Sequence, residues 1–201
     1  MRRLLLWRGL DEWRAEAACV ELDDRGIRAT GTQLGVDPVP YRLDYELETE
    51  ADFVTSRLRV VSRGDGWRRE LQLGRAADGD WSIVASEEGR LDLPHAGGNA
   101  SDLAAALDCD LGLSPVTNTM PILRYGLLHG GGPVELTMAW VAVPALAVEA
   151  DGQRYRHLES MVVRFEAVDG SFAADITVDD DGVVVDYPGI ARRLDAGRSG
   201  D

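Results

Sequence analysis

Tyr41-Arg42-Leu43-Asp44-Tyr45-Glu46-Leu47-Glu48 places Tyr41, Leu43, Tyr45 and Leu47 at alternate positions, with charged side chains between them. Successive side chains of an extended chain point to opposite faces, so this octet reads as a strand with one apolar face and one wet face. Trp67, Leu71 and Leu73 alternate in the same way against Arg68, Glu70 and Gln72. Turn signals separate such runs: Asp24-Arg25-Gly26, Gly64-Asp65-Gly66, Asp78-Gly79, Asp151-Gly152, Asp169-Gly170 and Asp181-Gly182. Asp-Gly accepts the positive φ of tight hairpin turns. The pattern therefore predicts an all-β chain of hairpin-joined antiparallel strands.

Three segments break the alternation. Met138 to Val143 with Ala145 to Val148, Met161 to Val163, and Val183 to Val185 are apolar at successive positions, as strands covered on both faces are. Something must provide the second cover. A short helix presenting Ile122, Leu123 and Leu127, a sheet curling over itself, or a bound apolar ligand would each do so.

The helix belongs to the least regular stretch, Asp108-Cys109-Asp110-Leu111-Gly112-Leu113-Ser114-Pro115-Val116-Thr117-Asn118-Thr119-Met120-Pro121-Ile122-Leu123-Arg124-Tyr125. A strand ending near Leu113 meets Pro115, which cannot donate to a ladder. Thr117, Asn118 or Thr119 is placed to cap a helix, with Pro121 in its first turn. Ser101 to Leu107, capped by Ser101, is a second candidate of one or two turns. It follows Pro94 to Asn99, which reads as a flexible surface insertion. Residues 1–194 form one β domain, and the polar tail 195–201 is expected to be disordered.

Composition narrows the function classes. The 201 residues carry a formal charge of −14, with 45% apolar residues and only arginine as the basic residue. An isoelectric point near 4.6 and the lack of a basic face argue against nucleic acid and against anionic membrane surfaces. Two cysteines, Cys19 and Cys109, do not make a disulfide framework. The apolar start Leu4-Leu5-Leu6-Trp7 stops at Arg8, short of the roughly 7–15 residues of a signal-peptide core. No run approaches the roughly 18 apolar residues of a membrane span. The chain is expected to be soluble and cytoplasmic, and not an integral membrane protein.

Catalytic signatures are missing: there is no Gly-x-Ser-x-Gly, phosphate-binding loop or dinucleotide fingerprint. His95, His129 and His157 stand far apart, and none has a ligand partner at metal spacing. Asp179-Asp180-Asp181 precedes Gly182 and reads as the solvated tip of a hairpin. Asp108 and Asp110, two apart on a strand, share a face. That suits acid–base work or hydrogen bonding to Thr117 or Asn118 equally. The reading requires no cofactor and no metal.

The block Leu111 to Arg124, together with Tyr41-Arg42-Leu43-Asp44-Tyr45 and the ending Asp186-Tyr187-Pro188-Gly189, resembles a bacterial family of glycolipid-binding proteins over roughly Trp7 to Arg193. The resemblance implies a strongly curved antiparallel sheet forming an incomplete barrel, with a cleft like that of lipoprotein carriers. It also implies non-enzymatic binding of a lipid with a sugar headgroup. The insertion Pro94 to Ala104 departs from the family pattern. On this reading Trp140, Val141, Val143, Met161 and Val163 line an apolar hollow, and Thr117, Asn118, Arg124 and Tyr187 form its polar mouth. A buried tail contributes about 0.8 kcal/mol per methylene and a headgroup hydrogen bond only about 0.5–1.5 kcal/mol, so an open greasy hollow would let the tail set affinity. Two rivals remain at this point. One is a hydrolase or other enzyme using Asp108, Asp110 or His157 on a hydrophobic substrate; the other is an interaction module dimerising through sheet edges. Either a monomer or a homodimer is compatible.

Overall fold

The computed structural model describes residues 1–194; the expectation of a disordered tail at 195–201 lies outside them. Fourteen strands form one sheet. The first seven are β1 (Arg2–Gly9), β2 (Arg14–Asp23), β3 (Gly26–Gly35), β4 (Tyr41–Thr49), β5 (Thr55–Gly64), β6 (Trp67–Arg75) and β7 (Trp81–Gly89). The others are β8 (Ala106–Leu111), β9 (Val134–Val141), β10 (Val148–Glu159), β11 (Val162–Ala167), β12 (Ala173–Val178), β13 (Val184–Tyr187) and β14 (Ala191–Arg193). One short helix, α1 (Thr119–Arg124), lies between β8 and β9.

The strand order is β7-β6-β5-β4-β3-β2-β1-β14-β13-β12-β11-β10-β9-β8. The first and last strands, β1 and β14, therefore pair mid-sheet, and the two edges β7 and β8 are neighbours in sequence. The sheet is not closed into a barrel. Every pairing is antiparallel except β8 with β9, which is parallel. Here β8 returns through α1 and a long connection, and such a crossover permits a parallel partner.

The Asp-Gly turns fall between paired strands as expected, with one exception. Asp151-Gly152 lies inside β10, where Gly152 leaves room for the Val168 side chain. Tyr41, Leu43, Tyr45 and Leu47 all face inward and are buried. Gly31, opposite Tyr45 in the register, leaves the space that the phenol ring fills; a Cβ there would lie only 2.4 Å from the ring carbons.

The inner face of the N-terminal strands is not an empty hollow. Leu5, Trp7, Leu43, Leu58, Leu71 and Leu73 pack with Cys109, Leu111, Ala139 and Val141 in one core. Residues of alternate parity on β8 and β9 thus press against the inside of the other half of the sheet, and Thr55 of β5 bonds to the Cys109 backbone and sulfur. The doubly apolar run Met138 to Val143 is covered by the curled sheet itself, as one of the expected solutions required. The second core, around Tyr155, Val163, Phe165, Ile176 and Val184, is covered by Ile122 and Leu127 from α1 and the turn after it.

The 101–107 segment contains a 3-10 turn, Ala100–Leu103, capped by Asn99 rather than Ser101. The preceding Pro94 to Asn99 is held, contrary to the expected flexible insertion. The buried Arg69 guanidinium donates to the carbonyls of Leu91, Leu93, Pro94 and Ala145, and Gly97 exchanges backbone bonds with Leu146 and Val148. The segment is a strap across the two sheet edges. Arg69→Met should make it about tenfold more susceptible to limited proteolysis, because local opening sets the cleavage rate. Unchanged cleavage would show that the backbone bonds alone hold it. Among the described residues no helix is long and apolar enough to cross a membrane.

Candidate functional site

The strands that press Cys109, Leu111, Ala139 and Val141 into the core present their other residues to the opposite face. Register fixes that set: Asp110 lies beside Trp140, Trp140 beside Glu149 and Met138 beside Asp151. Gln153 lies beside Ala167 and Tyr155 beside Phe165. Helix α1 covers the Tyr155 end of this face. The other end stays open as a pocket of about 400 Å³.

Its walls are Trp140, Phe165, Phe172 and Tyr187, with Leu113, Val143 and Ile190 beside them, while Ser114, Glu149, Asp151 and Gln153 add polar groups. The aromatic side is a packed set: Phe165, Phe172 and Tyr187 have ring centroids 6.0 Å apart pairwise, at inclinations that aromatic pairs prefer. Two other depressions, of about 450 and 580 Å³, lie along the outer face and beside the β2–β3 hairpin. Many of the charges in their walls are paired with one another, as Asp44 is with Arg63 at 2.7 Å and Arg2 with Glu21 at 3.1 Å, and neither depression has the clustered aromatic rings of the first, so the aromatic pocket is the candidate site.

Behind its floor runs a buried hydrogen-bond chain. Asn118 Nδ2 donates to Tyr155 Oη at 2.9 Å, Tyr155 donates to Gln153 Oε1 at 3.1 Å, and Gln153 Nε2 donates to Asp110 at 2.7 Å and Asp151 at 3.0 Å. Thr117 donates to the other Asp110 oxygen at 2.7 Å. Burial pushes the Asp110 carboxyl up, and the bonds from Thr117 and Gln153 offset part of that shift. On the other wall, Ser114 donates to Glu16 at 2.7 Å. Glu16 also receives bonds from Tyr45 at 2.7 Å and Gln33 at 3.2 Å. Its complete burial raises its pKa to about 7 against these donors.

The structure divides the residues singled out from sequence. Trp140, Val143 and Tyr187 line the pocket. Val141 and Val163 are fully buried in the two cores, and Met161 packs on the second core; none of the three lines the pocket. Thr117 and Asn118 stand behind the floor, and Asn118, although it occupies the helix N-cap position, caps nothing with its side chain. Arg124 is not at the mouth. Its guanidinium binds both oxygens of Asp108 at 2.6 Å and its Nε donates to the Asp52 carbonyl at 2.6 Å. Burial pushes the Asp108 carboxyl up and Arg124 opposes that; arginine keeps its proton, so the two form an ion pair. His157 Nδ1 lies 2.8 Å from the Leu127 carbonyl. Asp179 is not a bare hairpin tip either, since Arg3 of β1 and Arg193 of β14 clamp it.

Sequence reasoning missed Glu149, Asp151, Gln153, Ser114, Phe165, Phe172 and Glu16. Glu16 left a trace: with Ala18 and Val20 it shares the inward parity of β2, an acid where an apolar residue belongs. Asp151 was hidden by being read as a turn. Among the described residues no group of three or more His, Cys, Asp or Glu is placed to hold a metal ion.

The sequence profile of the family described as "Putative glycolipid-binding" matches residues 4–193. The chain belongs to this family. A crystal structure of a DUF1089 family protein from Pseudomonas aeruginosa has the same fold, with a TM-score of 0.71. The two chains are 28% identical over 94% of this chain and 95% of that one. No curated protein matches in sequence. The match to the glycolipid-binding family covers both halves of the sheet and the 108–125 block, so the resemblance carried by those residues is borne out.

Proposed function

We propose that the protein binds an amphiphile with a sugar headgroup, without catalysis, in the pocket walled by Trp140, Phe165, Phe172 and Tyr187. The observation that carries this reading is the pairing of aromatic walls with Ser114, Asp151 and Gln153 in one pre-formed cavity. Aromatic faces suit the C–H faces of a pyranose, and the amide, hydroxyl and carboxylate groups suit its hydroxyls. At about 400 Å³ the pocket lies near the lower end of small-molecule sites, about 300–1,000 Å³. It accommodates a sugar and the first part of a tail, not a whole diacyl lipid. That revises the expectation of an open greasy hollow whose tail contacts set affinity: the chain fills most of the hollow with its own side chains, and the headgroup end takes the larger share.

Asp108, Asp110 and His157 do not line the pocket, and each is engaged by its own partner, which favours binding over an enzyme built on them. Cys19 and Cys109 are both free thiols, which suits a reducing compartment such as the cytoplasm. Native mass spectrometry and calorimetry with octyl glucoside are the direct test. We expect a 1:1 complex, weakened at least about tenfold by Trp140→Ala, since burying such a ring contributes about 1.5–3 kcal/mol. A chromogenic aryl glycoside should be recovered intact. Failure to take up any alkyl glycoside would remove the reading, and hydrolysis of the aryl glycoside would overturn its non-catalytic part.

A further inference from the structure

Arginine is paired with acid across most of this molecule. Asp44 is held by Arg42 and Arg63, Glu70 by Arg59 and Arg68, Glu87 by Arg69, Asp108 by Arg124, and Asp186 by Arg192. At the pocket this stops. Glu149 and Asp151 line it, and no arginine, lysine or histidine does. Among the described residues the Asp151 carboxylate accepts one bond, from the neutral amide of Gln153, and no side-chain hydrogen bond or ion pair engages the Glu149 carboxylate. Asp110 stands directly behind, joined to Asp151 through the same Gln153 amide. The Asp151 charge is among the influences that push the Asp110 carboxyl up, after burial.

Glu149 and Asp151 thus face a cavity walled by four aromatic rings, with Asp110 joined to Asp151 behind it, and among the described residues no cationic side chain lines it. An entering anion would meet like charges at the exposed Glu149 and the half-buried Asp151, a repulsion that added salt weakens. A cation would find carboxylates at one side and ring faces at the other, the arrangement that binds ammonium groups. A neutral sugar could use the carboxylates as acceptors only.

We propose that the pocket selects a sugar bearing a protonated amine, and that it rejects phosphate-, sulfate- and carboxylate-bearing headgroups. This rests on the glycolipid-binding reading and names the headgroup class for the same site.

Four octyl glycosides sharing one chain test it by calorimetry at pH 7: the free glucosaminide, its N-acetyl form, the glucoside and the glucoside 6-phosphate. We expect the free amine to bind at least tenfold more tightly than the glucoside, and the N-acetyl form to lose that advantage. The 6-phosphate should bind at least tenfold more weakly than the glucoside. Raising salt from 0.15 to 1 M should shrink the amine preference. In a Glu149→Gln/Asp151→Asn double variant the amine-to-glucoside affinity ratio should fall towards one; the wild-type ranking stands as a test even if that variant folds poorly. Equal binding of amine and glucoside, or preference for the phosphate, overturns the amine proposal and leaves glycolipid binding standing. Binding of none of the four overturns both.

Discussion

Asp108→Ala should cost about 3–5 kcal/mol of unfolding free energy, the range for leaving one partner of a buried ion pair uncompensated. The Asp108 and Arg124 side chains are only 1% and 9% exposed, so water cannot replace the lost carboxylate. The deleted group receives two bonds of 2.6 Å from one guanidinium, and Arg124 would keep its bond to the Asp52 carbonyl and its contact with the Tyr125 ring but no carboxylate partner. For a chain of this size the loss corresponds to a fall in Tm of roughly 6–20 °C. Thermal and urea unfolding of the variant measure it. Replacing both residues together, Asp108→Leu with Arg124→Met, should recover much of the loss, because two apolar side chains remove both charges at once. A single-variant cost below about 1 kcal/mol would mean that the pair is hydrated in solution, contrary to its burial. The pair fixes α1 to β8, and with it the Thr117 and Asn118 bonds that hold the pocket floor.

The second large effect is a pH dependence centred on Glu16. Its carboxyl has an ordinary value of 4.5 and is raised to about 7 in the folded chain, by burial above all. Between these values the folded protein keeps a proton that the unfolded chain has released, so stability falls as pH rises through the window. The contribution is complete below about pH 4.5 and is lost above about pH 7. A displacement of this size corresponds to about 3 kcal/mol. Glu16→Gln removes the titration. Its stability relative to the wild type should therefore rise from pH 4.5 to pH 8 by about that amount. The geometry suits the replacement, because Gln33 Oε1 lies buried without a hydrogen-bond partner and, with its amide turned, would accept from the new amide. Chemical denaturation of both proteins across pH 4 to 8 tests this by difference, cancelling the common contribution of Asp108 and Asp110. A constant difference across the range would show that Glu16 is ionised normally. Because Ser114 both lines the pocket and bonds to Glu16, ligand affinity should be measured at fixed pH.

Much of this fold was legible because a strand half-covered by protein must alternate. Tyr41 to Leu47 and Trp67 to Leu73 declare both their strand state and their inward face, and Asp-Gly pairs mark where neighbouring strands turn. The doubly apolar Met138 to Val148 announced a layer covered twice. What covered it was not legible, because a sheet edge, a helix and a lipid all present the same hydrocarbon to a valine. Trp140 was placed at the cavity on those grounds and is there, while Val141, one residue on, points into the core by strand parity.

The chain by itself determined the strands, their hairpin order, the short helix after Asn118 and the net acidity, since all of these depend on neighbours within a few residues or on composition. The tertiary structure alone decided that β8 pairs in parallel with β9 and that their shared layer fills the N-terminal hollow. It alone decided that Arg124 pairs with Asp108, and that Glu149, Asp151 and Gln153 meet four aromatic rings at one opening. Those outcomes depend on contacts between residues far apart in sequence, where many side chains compete for one space and only the packed sheet determines which of them occupies it.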